Sequence, residues 1–181
     1  MFPKLSNELM GTQVLVGILM DKIGQHNDRQ VFYLSTRQIN WADQLPYDNW
    51  VVLPIGHNND IDIINNIAKK CLEKNVSYIC ATGKQSSLIH DTFDHFIVQN
   101  KIDKGESITS PDDFEYSPLT TWDSNIDEEF WFSLTTAFHP YTEITKVVCL
   151  DMTETGVKEK LVDLLTKINS GWLPSDTDDE K

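Results

Sequence analysis

Apolar runs of strand length alternate with stretches of helical periodicity along most of the chain. A continuous apolar run predicts a strand that is buried on both faces. Apolar residues three or four positions apart predict a helix with one buried face. Strands are predicted at 31–34, 50–55, 76–81, 119–122 and 146–150, and helices at 5–23 (where 14–20 could instead form a buried strand), 61–72, 86–97, 126–138 and 157–168.

A strand followed by a helix, repeated four times, is typical of a mostly parallel sheet with helices on both faces. We therefore expect an α/β fold with three layers, of the doubly wound, Rossmann-like kind. A chain of 181 residues favours one domain, which we place at 1–173. Within it, 1–47 is expected to form an N-terminal extension and 101–118 a long polar loop. The acidic stretch 174–181 is expected to be a disordered tail.

Polar residues and prolines mark the expected ends of these elements. Side chains with short oxygen-bearing groups cap helix N-termini. The predicted caps are Ser86 or Ser87, Asp123 or Ser124, and Thr153 or Thr155. Pro54 lacks the N–H that a strand would donate, so the strand at 50–55 is expected to end there. Pro140 is expected to end the third of the later helices.

The charge of the chain excludes several classes of partner. There are 28 acidic and 15 basic residues, and the net charge is −13. Because nucleic-acid binders present a basic surface, direct nucleic-acid binding is not expected, and neither is an anionic membrane surface. No apolar run is long enough to span a bilayer, and the N-terminus lacks a basic leader and a cleavage site. Three cysteines without C-x-x-C spacing predict buried free thiols in a cytoplasmic protein: Cys71, Cys80 and Cys149.

No complete nucleotide-binding or catalytic motif is present, and no cofactor is expected. Gly83-Lys84 resembles the end of a phosphate-binding P-loop, but Tyr78 and Gln85 occupy positions that the motif assigns to Gly and to Ser or Thr. There is no G-x-G-x-x-G and no G-x-S-x-G. Ser86 and Ser87 remain candidates for an anion site, because helix N-termini attract negative charge.

The cluster at 90–95, His-Asp-Thr-Phe-Asp-His, has the spacing at which two side chains share one helix face. The apolar stripe of that helix passes through Ile89, Phe93 and Ile97, so most of the polar cluster projects away from the core. We expect a solvated helix face there and no metal site.

A second hypothesis for function places a small enzyme at the carboxyl ends of the strands, where parallel sheets bind ligands. Its substrate would be a nucleotide or nucleoside-like metabolite. The candidate acid–base residues are His57, Asp91, Asp123 and His139, with Asp60 and Ser87 as further polar groups. Each also has a structural interpretation, such as a surface loop, a helix cap or a histidine at a helix C-terminus.

The first hypothesis rests on the segment 105–145, which contains no lysine or arginine but is rich in acidic and aromatic residues. Aromatic side chains are common interface anchors, and charge steers the encounter of two proteins. We expect a non-enzymatic, immunity- or antitoxin-like module that binds a basic protein partner. The predicted binding residues are Trp122, Asp127, Glu128, Glu129 and Trp131. In the alternative interpretation the aromatic residues form core and the acids stabilise a helix N-terminus.

The stretch 76–152 resembles a group of short, uncharacterised bacterial proteins. The resemblance lies in Gly83 at a strand end, Ser-Ser at 86–87, Asp91 and Asp94, Thr-Thr-Trp at 120–122, Glu129 before Phe-Trp-Phe at 130–132, and His-Pro at 139–140. The chain departs from the pattern at Thr82, where relatives often carry Trp, and at Asp123, where they often carry His. The resemblance implies a bacterial, cytosolic α/β domain and no particular activity.

Overall fold

The computed structural model describes residues 20–57 and 60–174. These residues form an α/β fold with six strands and four helices. In chain order they are β1 (Asp21–His26), β2 (Arg29–Ser35), β3 (Trp50–Gly56), α1 (Ile61–Glu73), β4 (Tyr78–Gly83), α2 (Ser86–Asp103), β5 (Leu119–Asp123), α3 (Ile126–Thr135), β6 (Lys146–Asp151) and α4 (Lys158–Asn169). The predicted α/β class is confirmed, and so are the five strands predicted from β2 onward.

The strands form one mostly parallel sheet in the order β1-β2-β6-β3-β4-β5. Strands β2 to β6 run parallel to their neighbours, and only β1 is antiparallel. The parallel strands therefore begin at one end of the sheet, the amino edge, and finish at the other, the carboxyl edge. β5 is an outermost strand of the sheet, whereas β6, β3 and β4 are central.

Alternation along the central strands divides the core into two clusters. Val51 and Leu53 of β3 pack with side chains of α3 and α4. Trp50 and Val52 of the same strand pack with side chains of α1 and α2. Successive strand residues point to opposite faces, so a continuous apolar run supplies both clusters at once. The three cysteines are free and buried, as predicted.

Two predictions about the first and last elements need comment. The predicted N-terminal helix is wrong where the structure describes it, because Asp21–His26 is β1 and pairs with β2. Helical spacing and a short amphipathic strand look alike when few apolar positions are present. The rest of that helix, at 5–19, and the acidic tail from 175 onward lie outside the described residues.

None of the three predicted caps from α2 onward is found: the cap of α3 is displaced, and α2 and α4 have no side-chain cap. Asn125, not Asp123 or Ser124, caps α3 by accepting a hydrogen bond from the backbone N–H of Asp127. Asp123 instead accepts from the backbone N–H of Asn125 and so makes a turn ahead of the helix. The first residues of α2 and α4 have no side-chain cap, so Ser86, Ser87, Thr153 and Thr155 do not have that role. Asp60 does cap α1.

Several element ends also differ from the predictions. β3 continues through Pro54 to Gly56, and its pairing with β4 is interrupted at Leu53 and Pro54, where the proline has no N–H to donate. α2 extends to Asp103, so the polar connection begins at Lys104. α3 ends at Thr135, well before Pro140. β5 was expected among the core strands but lies at the edge.

Candidate functional site

The edge strand β5 carries an exposed tryptophan between two helices. The side chain of Thr120 donates to Asp94 of α2 at 2.7 Å, and that of Thr121 donates to Glu129 of α3 at 2.8 Å. Because strand side chains alternate, Trp122 lies on the α2 side with Thr120. Trp122 is 52% exposed. The edge strand therefore presents one large aromatic side chain to solvent.

Carboxylates flank this tryptophan on both sides, and we call the whole set the acidic edge face. It consists of Trp122, of Asp91 and Asp94 on α2, and of Asp123 and Glu128 around the start of α3. The side chains of Asp91 and Asp94 are 71% and 47% exposed. The face thus combines a strand edge, an aromatic side chain and accessible negative charge.

Local hydrogen bonds hold these carboxylates in place without using all of their acceptor sites. Asn125 donates its side-chain amide to Glu128 at 2.8 Å. His90 lies 3.2 Å from Asp91. An ionised carboxylate offers about four acceptor positions, so each group retains capacity for a further donor.

Three of the predicted binding residues do not lie on this surface. Asp127 turns toward α4, where Lys160 pairs with it at 2.6 Å. Glu129 is only 5% exposed, and its carboxylate points inward toward Thr121. Trp131 is partly buried and packs against the core cluster beneath α3, as does Phe132. The neighbouring Phe130 is fully buried. The three consecutive aromatic residues are therefore mainly core, and Trp122 is the anchor that remains.

Burial gives Glu129 unusual acid–base behaviour. It raises the pKa of the Glu129 carboxyl to about 7, and the nearby charge of Asp123 acts in the same direction. The hydrogen bond from Thr121 opposes the shift by stabilising the ionised form. Beneath it lies Cys80, a fully buried thiol whose own pKa is raised well above the usual value, first of all by burial. The Glu129 carboxyl is therefore expected to titrate near neutral pH, but it is too buried to reach a substrate.

The candidate acid–base residues are not brought together. His57 and Asp123 follow or end strands at the carboxyl edge, and Asp91 projects from α2 into solvent. His139 precedes β6 and contacts the residues before β5, which places it at the amino edge. An acid–base pair needs its members within hydrogen-bond reach of one substrate. His139 lies at the opposite end of the sheet from the other three residues, and β4 separates the end of β3, before His57, from Asp123 at the end of β5.

His139 has a structural role that occupies its whole ring. It is 4% exposed, its Nε2 lies 3.1 Å from the carbonyl oxygen of Ser117, and its Nδ1 lies 3.3 Å from the backbone N of Tyr141. The carbonyl can only accept and the backbone N–H can only donate. Nε2 therefore carries the proton and Nδ1 is the acceptor. The ring ties the loop before β6 to the segment before β5.

A cavity of about 730 Å³ lies at the amino edge. It mixes acids and bases, and many of its polar groups already bond to one another. Lys101 pairs with Glu106 at 2.8 Å, and Asp48 accepts from the side-chain amide of Asn75 at 3.2 Å. Tyr141, whose ring lies 4.5 Å from that of Tyr116, donates its hydroxyl to Glu115. The cavity is therefore large, but several of its polar side chains are already paired with protein groups and not available to a ligand.

A smaller crevice, of about 320 Å³, lies at the carboxyl edge between the chain leaving β2 and the start of α1. Trp41, Ile67 and Met152 supply an apolar lining, and Arg37, Asn66 and Glu154 supply polar groups of both charges. None of the predicted acid–base residues lines it. The crevice could hold a small planar molecule with a negatively charged group near Arg37.

Other kinds of site find little support in the described parts of the chain. Across 20–57 and 60–174, no group of three or more His, Cys, Asp or Glu side chains is arranged to hold a metal ion. Ser86 is buried and Ser87 exposed at the start of α2, and beyond that helix N-terminus nothing points to an anion. No helix among these residues is long and apolar enough to cross a membrane.

Comparison with known proteins gives a family and no activity. No curated protein matches the chain. A family described as "Domain of unknown function (DUF7684)" matches residues 30–168, which takes in the sheet from β2 onward and all but the last residue of α4. This agrees with the predicted resemblance to an uncharacterised family, whereas a bacterial origin stays a prediction. Since the match covers well over half of the sequence, the chain belongs to the DUF7684 family.

Proposed function

We propose that the protein is a non-enzymatic module that binds a basic protein partner through the acidic edge face, as immunity proteins and antitoxins bind theirs. The observation that carries this proposal is the position of Trp122, half exposed on an outermost strand and flanked by carboxylates from two helices. An aromatic anchor supplies contact area, and the surrounding charge favours basic partners and speeds their encounter.

The arrangement of the remaining polar groups also favours binding over catalysis. Glu129 is enclosed, His139 has both ring nitrogens engaged, and the exposed candidate residues lie at different places on the molecule. The net charge of −13 agrees with a basic partner. The acidic edge face contains fewer of the predicted binding residues than the sequence indicated, because Glu129 and Trp131 contribute to the core.

The test is affinity capture from the protein's own host at low and at high salt, with the partner identified by mass spectrometry. We expect a basic protein in near-stoichiometric amount that is released at high salt. Trp122→Ala should weaken capture, and so should Asp91→Lys combined with Glu128→Lys.

The matched control combines Asp62→Lys and Glu159→Lys. These exposed acids lie in the first turns of α1 and α4, outside the acidic edge face, and the double variant changes the net charge by the same amount. Undiminished capture by the face variants, or equal loss in the control, would show that the acidic edge face is not the binding site.

A second proposal concerns the carboxyl edge. The two core clusters support the predicted three-layer, doubly wound arrangement, in which ligands bind beyond the carboxyl ends of the strands. The crevice beside Trp41 and Arg37 lies there and would suit a nucleotide or nucleoside-like metabolite, with the base on the indole and a phosphate at the guanidinium. Thermal shift with AMP and adenosine tests this, and a shift that survives Trp41→Leu and Arg37→Gln would assign the ligand to another site.

A further inference from the structure

We infer that the partner contributes an extended basic segment that adds a strand to the open side of β5. This inference rests on the proposed function and specifies how the acidic edge face is used. It concerns the backbone of the edge strand as well as the side chains around it. Strand addition to an exposed edge is a general mode of peptide recognition, in which main-chain hydrogen bonds supply much of the affinity.

The backbone of β5 offers unpaired groups on its outer side. The N–H of Leu119 donates to the carbonyl of Ser77 at 3.2 Å, which turns the backbone groups of Leu119 and of alternate residues after it toward β4. The N–H and C=O groups of Thr120 and Trp122 therefore point away from the sheet. Within the part of the chain that the structure describes, neither a strand nor a hydrogen bond satisfies these four groups. Such an edge is a template for another strand.

Side chains on both faces of an added strand would meet negative charge. On the α2 side they would approach Asp91 and Asp94, and on the α3 side Asp123 and Glu128. Successive side chains of the added strand point to opposite faces of the sheet, so basic residues are favourable at both odd and even positions of the segment. Charge complementarity therefore selects a basic segment over a second copy of this chain, whose own β5 would bring the same carboxylates together.

The length of β5 limits the length of the segment. β5 spans five residues, and only Thr120 and Trp122 turn backbone groups outward. A segment of about five residues would cover it, with room for the indole of Trp122 to pack against one of its side chains. The partner is therefore expected to expose a short, extended, arginine- or lysine-rich stretch.

The experiment uses a fluorescein-labelled heptapeptide of alternating arginine and valine, measured by fluorescence anisotropy against the full chain. A strand has two edges. Methylating the backbone nitrogens along one edge leaves the other free, whereas methylating both edges abolishes pairing at unchanged charge. We expect the peptide methylated on one edge to bind within about threefold of the parent, and the one methylated on both edges to bind at least tenfold more weakly.

A second measurement reads the protein side. In the free protein the outward amides of Thr120 and Trp122 should exchange with solvent rapidly, and the bound peptide should slow their exchange at least tenfold. The variant Thr120→Pro removes the outward N–H, and prolines are tolerated at strand edges. Thr120→Val is its control, because it loses the same hydroxyl but retains the N–H. Only Thr120→Pro should weaken binding markedly.

The outcomes separate this inference from the proposed function. Equal binding of the peptides methylated on one edge and on both would overturn strand addition, while salt-sensitive capture of a basic partner would stand. The inference would also be overturned if a glutamate–valine heptapeptide bound as tightly as the arginine–valine parent, or if the parent failed to bind at millimolar concentration. It would likewise be overturned if the protein associated with itself through β5 faster than it bound the parent peptide. Capture of the partner that Trp122→Ala leaves undiminished would contradict the proposed function instead.

Discussion

At the scale of single residues, Glu129 links the fold to pH. The folded protein raises its pKa from 4.5 to about 7, so it retains a proton that the unfolded chain releases. Stability from this group is therefore present below about pH 4.5 and is lost as the pH rises toward 7. Glu129→Gln removes this dependence. Urea unfolding should show the variant gaining about 3 kcal/mol relative to the wild type between pH 4.5 and 8.

The control for Glu129 is Glu159→Gln, which also alters a carboxylate in a first helical turn, but an exposed one. Its stability difference from the wild type should change little over the same range. The comparison matters because a chain of net charge −13 has other pH-dependent terms, which both variants share. A flat difference curve for Glu129→Gln would show that the carboxyl is ionised throughout and hence better solvated than its burial indicates.

At the scale of elements, a close contact between the ends of β3 and β4 depends on a glycine. Gly83 has φ +88°, and a Cβ there would lie 2.4 Å from the carbonyl oxygen of Gly56. Gly105 has φ +70° with open space around it. Gly105→Ala should cost about 1 kcal/mol for its backbone alone, whereas Gly83→Ala should cost about 3 kcal/mol or more, because backbone must also move. Equal losses in urea unfolding would mean that the strand ends are free to separate.

Elements with strong patterns could be predicted from the sequence, and elements set by competing local bonds could not. The apolar runs of β3 and β6 have one reasonable interpretation, since each is long enough to be buried on both faces. β1 has too few apolar positions for a distinct period. α3 begins at Ile126 as predicted, but its cap is Asn125, because Asp123 bonds to the backbone of Asn125 and leaves the cap to that residue. Such competition between neighbouring polar side chains has no signature in residue type.

The sequence could predict that the candidate site is acidic and aromatic, but not which residues form it. The base-free segment and its aromatics are visible in the sequence. Whether Trp122 or Trp131 is exposed depends on the strand order, which makes β5 an edge and places α3 over the core. Asp91 and Asp94 join the acidic edge face from α2, and only the fold brings them beside β5. Strand order follows from the whole set of pairings, so local periodicity cannot supply it.

At the scale of the whole molecule, the excess of acidic residues should make stability depend on salt. A net charge of −13 repels itself in the compact state, and dissolved ions screen that repulsion. We expect the melting temperature to rise by roughly 3–5 °C between low salt and about 0.5 M sodium chloride. Choline chloride should have the same effect if screening is the cause. A rise specific to sodium would indicate a bound cation instead.

The open side of β5 also bears on the association of the protein with itself. An uncovered strand with an exposed tryptophan is the usual starting point for edge-to-edge polymerisation, and natural proteins guard such strands with charge. Here the carboxylates of the acidic edge face provide that charge, and they repel the same edge of a second molecule. This repulsion weakens as the pH approaches the isoelectric point near 4.6. In acid the chain should therefore precipitate through this strand first, and a bound partner that occupies it should keep the protein in solution.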